Sequence, residues 1–151
     1  MRKLVVALLL LIPIIGAAQT YLSEDFEGTW PPSEWQVLQS TSYGWQQGDG
    51  TGWGDPSVYN GTYMAVFDVW NTSSGDTGVL VTDTVDLTSA SSPRLKFYYI
   101  NTSGSDYVSV DYSTDYGATW TNLDTLTIAS DWTEYTYSLP TSSVMVRFFG
   151  Y

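Results

Sequence analysis

Beyond its first eighteen residues, this chain repeats its apolar side chains at every second position, and a period of two is the period of a half-buried β-strand. Leu95, Phe97 and Tyr99 share one face of residues 94–100. Val108, Val110 and Tyr112 do so in residues 107–113, with Ser109 and Asp111 opposite. Val144, Val146 and Phe148 repeat the pattern in residues 144–151, as do Tyr135, Tyr137 and Leu139 in residues 132–139. Residues 35–38, 62–69 and 78–82 are further strand candidates. Turn-rich clusters at 71–76 and 101–106 break the rhythm, and no helical period survives. Short alternating strands between such turns predict an all-β fold, an antiparallel sandwich. Residues 43–61 are the exception. This Gly-rich stretch carries Trp45, Trp53 and Tyr59 among Asp49 and Asp55, and reads as an ordered loop that packs on the sandwich or binds something.

Composition narrows the chemistry. Among 151 residues there is no Cys and no His. A thiol nucleophile, a Ser-His-Asp triad, a disulfide framework and an ordinary zinc site are therefore excluded. Sixteen acids face five cations, a net charge of −11. Such a surface repels phosphate backbones, so nucleic acid is not an expected partner. Divalent cations are attracted instead.

The start of the chain reads as an address. Met1, Arg2 and Lys3 precede a twelve-residue apolar run, and Gly16-Ala17-Ala18 follow it. This is the layout of a secretory signal peptide covering residues 1–18, with cleavage after Ala18. Twelve residues fall short of the ~20 that span a bilayer. Residues 19–151 are then expected as one exported domain, secreted or at the cell surface and without a transmembrane segment.

Three groups of residues could carry function. Residues 113–120 fit the pattern S-x-D-x-G-x-T-W, an Asp-box. Its Asp115 accepts hydrogen bonds from the turn, Gly117 permits a positive φ, and Trp120 packs beneath, which is a structural hairpin. Such boxes are familiar from sialidases, but Arg94 and Arg147 alone cannot form the arginine cluster that sialidase catalysis needs. Asp25 and Glu27 stand two apart, so on an extended strand both would share a face with Phe26 turned to the core. With Asp68 as a third ligand they could hold calcium, which prefers several carboxylate and carbonyl oxygens. A solvated charge pair guarding a sheet edge is the plainer alternative. Finally, Trp45, Trp53 and Trp70 lie in or beside loops and are candidates for stacking on sugar rings, although large aromatics are more often buried.

The ordered set of motifs resembles a known family. Glu24-Asp25-Phe26-Glu27-Gly28 opens it, with Trp30-Pro31-Pro32 and Trp35 behind. Val79-Leu80-Val81-Thr82, Val85-Asp86-Leu87 and Pro93-Arg94-Leu95-Lys96-Phe97 follow, then Asp106-Tyr107-Val108-Ser109-Val110 leading into the Asp-box. In that order they resemble the cleaved-adhesin or choice-of-anchor J domains, relatives of the MAM domain found in secreted Bacteroidetes proteins. The resemblance implies a jelly-roll sandwich, a calcium ion held through Asp25 and Glu27, and a non-catalytic role. It also implies a larger polypeptide with other domains, and a closing acidic strand this chain lacks, so the sequence is expected to be a fragment missing its last strand or strands. The leading expectation is an adhesin-like domain binding a surface glycan or an extracellular protein. The alternative is a carbohydrate-binding module serving a glycoside hydrolase or peptidase, favoured if Trp45, Trp53 and Trp70 form an exposed row. A small hydrolase using Asp25 with Glu27 or Asp111 is a remote third.

Overall fold

The computed structural model describes residues 19–52, 54–102 and 106–151. The expected signal peptide lies outside them. Ten strands account for the regular structure: β1 Trp35–Gln39, β2 Trp45–Gly48, β3 Met64–Phe67, β4 Gly78–Thr82, β5 Val85–Asp86, β6 Arg94–Asn101, β7 Val108–Ser113, β8 Thr121–Leu126, β9 Ala129–Ser138 and β10 Ser143–Gly150. No helix occurs among the described residues. The fold is all-β and every pairing is antiparallel.

One sheet runs β1-β4-β10-β7-β8, with the short β5 also pairing with β10. Two ribbons, β2-β3 and β6-β9, complete the regular structure. Strand register shows how period-two sequence becomes a core. Val37, Leu80, Phe148 and Val110 stand opposite one another across four strands, so one apolar row crosses the sheet. Leu80 and Val110 are fully buried. The ribbons cover this face. Phe97 of β6 meets Phe148 edge-on at 5.0 Å, and Trp45 of β2 approaches the same ring at 6.5 Å. The row ends on Asp124 of β8, and the Tyr137 hydroxyl from β9 donates to its carboxylate at 2.6 Å. Burial and this bond push the Tyr137 phenol upward, so it remains a donor.

Phe67 explains two glycines. Gly78 and Gly150 face each other on β4 and β10, and a Cβ at either would come within 2.8 Å of the Phe67 ring. Only hydrogen fits there.

Three strands differ from the sequence expectation. Residues 45–48 form β2 inside the stretch read as a loop, and β5 and β8 were not foreseen. Trp-Gln-Gln-Gly has no apolar alternation, while Thr121 and Asn122 of β8 are exposed at a sheet edge. An edge strand buries little, so its composition carries a faint signal. The opening acidic segment differs too. Phe26 adopts φ 61° rather than extended backbone, although its ring still reaches the core against Trp30 and Trp35.

Candidate functional site

The opening acids are held in a turn. Glu24 accepts from the Phe26 amide at 2.5 Å, and Asp25 accepts from the Glu27 amide at 3.1 Å. Glu27 reaches across to the residues just before β3, where one carboxylate oxygen accepts from the amides of Thr62 and Tyr63 at 2.7 and 2.8 Å. Gln47 ties the segment down by donating to the carbonyls of Phe26 and Gly28. Asp68 lies at the other end of β3, roughly 16 Å of extended chain from Tyr63. It accepts from Asn71, twice, and from Gln46. Asp25 and Glu27 therefore share one turn, while Asp68, the third carboxylate expected to share calcium, is anchored separately. Asp68 is closer in its electrostatics to Asp55, whose carboxyl is pushed up by burial and by the charges of Asp68 and Asp49. Among the described residues no group of three or more acids is arranged to hold a metal ion.

The Asp-box forms a closed hydrogen-bonded turn. Asp115 accepts from the Thr119 amide at 2.9 Å and hydroxyl at 2.6 Å, and from the Ser113 hydroxyl at 2.7 Å. Ser113 accepts from the Gly117 amide at 2.9 Å, and Tyr116 and Gly117 take the positive φ the turn needs. Thr119 above all, then Ser113, holds the Asp115 carboxyl down at about 2. A depressed carboxylate stabilises the fold above its unfolded value of 3.8, and the contribution is lost as pH falls toward about 2. Asp115→Asn is therefore expected to flatten the acid limb of the stability curve between those values. Thermal melts in a pH series would show it, and parallel limbs for both proteins would disprove it.

Trp120 has a partner that the sequence reading did not anticipate. Its ring lies over the Arg147 guanidinium at 4.4 Å, with Phe149 beside the same group at 5.5 Å. Arg147 Nε donates to Asp111 at 2.8 Å, and Asp111 is 4% exposed. Ser109 and Asn122 donate to the same carboxylate at 3.0 and 2.8 Å. Register explains the meeting, since Arg147, Asp111 and Asn122 are consecutive partners across β10, β7 and β8 on the sheet face turned away from the ribbons. With its oxygens engaged by three donors, this acid is a structural centre.

The two described tryptophans among those proposed for ligand stacking, Trp45 and Trp70, occupy different environments. Trp45 is 8% exposed, packs on Phe67 at 5.5 Å and donates its indole N–H to the Gly78 carbonyl at 3.0 Å. It is a core residue, because β2 pairing turns it inward beneath β4. Trp53 lies outside the described residues. Trp70 is exposed in the turn after β3. No exposed row links Trp45 and Trp70.

A different set of rings does converge. Tyr59, from the end of the Gly-rich stretch, stacks on Tyr98 of β6 with centroids 4.0 Å apart and planes within 18°. Trp132 of β9 stands edge-on to Tyr59 at 5.6 Å, its indole N–H donating to the Ser57 carbonyl at 2.9 Å. Tyr59 remains 50% exposed. The Tyr98 hydroxyl donates to Glu134 Oε2 at 2.6 Å, and Lys96 Nζ pairs with the same oxygen at 2.8 Å. Glu134 is held below its ordinary value by Lys96 first and Tyr98 second. Tyr98 is pushed well above its ordinary value by Glu134 and the Tyr59 hydroxyl, so it keeps its proton. Lys96, Tyr98, Glu134 and Trp132 all occupy the ribbon face opposite Phe97 and Tyr135. The signal for this site was present in the sequence: Tyr98 and Trp132 are aromatic at positions where the alternation calls for a polar residue. Their junction with Tyr59 was not readable. No protein-family model matches this chain, and no curated protein matches it.

Proposed function

We propose that this chain is an exported, non-catalytic recognition domain of the adhesin type that binds an extracellular glycan. The observation that carries the reading is the half-exposed Tyr59 ring, held flat on Tyr98 and flanked by Trp132 and the Lys96–Glu134 pair. The C–H face of a pyranose stacks on a ring presented in this way, and polar groups at the rim take its hydroxyls. The ring is fixed before any ligand arrives, so little ordering cost falls on binding. The ordered motif resemblance, with the accessory role it implies, agrees with a surface that grips and does not react.

The test is a panel of soluble polysaccharides screened by affinity electrophoresis with wild type and Tyr59→Ala. Removing a central aromatic anchor is expected to weaken retention about tenfold or more, equivalent to ~1.4 kcal/mol. Tyr59 lies in an exposed loop, so the variant's melting temperature should stay near wild type. Equal retention of both proteins, or retention by no polysaccharide, would overturn the proposal.

A further inference from the structure

Resting on that glycan reading, we infer that the Tyr59 site selects neutral pyranoses and rejects acidic ones, with Glu134 and Lys96 acting together as the reader of sugar hydroxyls. Among the described residues the cations are few: Arg94, Lys96 and Arg147. Arg147 is committed to Asp111, under Trp120, on the large sheet. Arg94 sits at the start of β6, four positions and roughly 13 Å of strand before Tyr98. Lys96 is the cation paired within the ring cluster, and Glu134 already neutralises it at 2.8 Å. A uronate or sulfate laid on Tyr59 would thus meet a compensated cation inside a strongly acidic field.

A neutral sugar meets a better match. Glu134 takes both Lys96 and the Tyr98 hydroxyl on Oε2, which leaves Oε1 to accept from a sugar O–H. Lys96 has further N–H groups to donate to a sugar oxygen. A carboxylate and an ammonium side by side offer one acceptor and one donor, the complement of two adjacent hydroxyls on one ring. Both side chains are substantially exposed, at 42% and 57%, so a sugar bound to the neighbouring ring can reach them.

The experiment compares neutral hexans (galactan, glucan, mannan) with polyuronates (polygalacturonate, alginate) in titrations of wild type, Tyr59→Ala and Glu134→Gln. Wild type is expected to bind at least one neutral polymer about tenfold more tightly than any polyuronate. That binding should change less than twofold between 0.05 and 0.5 M salt, because no net charge is exchanged. Glu134→Gln should weaken the neutral ligand severalfold and narrow the discrimination, since Lys96 is then uncompensated. Tyr59-dependent binding that favours a polyuronate would overturn the selectivity while leaving the glycan reading intact. Failure of every polymer to bind would overturn both.

Discussion

Trp45→Ala is expected to cost about 3–5 kcal/mol of folding stability, the range for truncating a buried aromatic. The indole fills the space between Phe67 and Phe148 and satisfies the Gly78 carbonyl, so its removal leaves both a cavity and an unpaired acceptor. Domains of this size are stable by only ~5–15 kcal/mol, and the melting temperature should fall by about 10 °C or more. Trp45→Phe keeps most of the volume and should lose clearly less. The result also separates two roles for one residue. A core Trp45 lowers the melting temperature and leaves the glycan affinity of the folded protein unchanged. A ligand-stacking Trp45 would do the reverse, and that outcome would refute its placement in the core.

Asp111→Ala should be the other large effect, at about 3 kcal/mol. Breaking a buried ion pair by removing one partner typically costs ~3–5 kcal/mol. The lower end applies because the Arg147 side chain is 26% exposed and recovers some hydration. Ser109 and Asn122 lose their shared acceptor as well. Arg147→Met should also destabilise, by stranding a buried carboxylate, whereas Asp111→Leu combined with Arg147→Met should recover much of the loss. A double-mutant cycle in urea measures the coupling. Single variants within 1 kcal/mol of wild type would show that the pair is not structural.

Several elements were legible to within a residue or two. Residues 78–82 match β4 at both ends, β6, β7 and β10 lie where the alternation put them, and β9 begins three residues earlier than expected. The strands missed are those too short or too polar to show alternation: Trp-Gln-Gln-Gly in β2, the two-residue β5 and the polar edge strand β8. The candidate site was less legible, for a related reason. Trp45 looked exposed because it opens a Gly-rich stretch, yet its pairing with Phe67 at the start of the β2-β3 ribbon sends it inward. Tyr59 was expected in an ordered loop that packs on the sandwich or binds something, and its ring does pack, but the partners Tyr98 and Trp132 come from strands that lie far along the chain. Asp25, Glu27 and Asp68 looked like one set because acids were weighed by type and spacing. The hydrogen-bond partners of Glu27 lie just before β3 and those of Asp68 just after it, while Asp25 is bonded to the Glu27 amide.

By itself the sequence determined the class of fold, the strands that alternate, the Asp-box turn and the chemistries that missing Cys and His rule out. These are local properties: the side-chain period follows from backbone sterics, and a turn closes within a few residues. Only the tertiary structure decided that β10, the last strand of the sequence, lies between β4 and β7 in mid-sheet. It alone set Arg147 on Asp111 beneath Trp120, and laid Tyr59 on Tyr98. Which strands pair, and in which register, depends on how all the apolar faces are buried together, and no single segment carries that information.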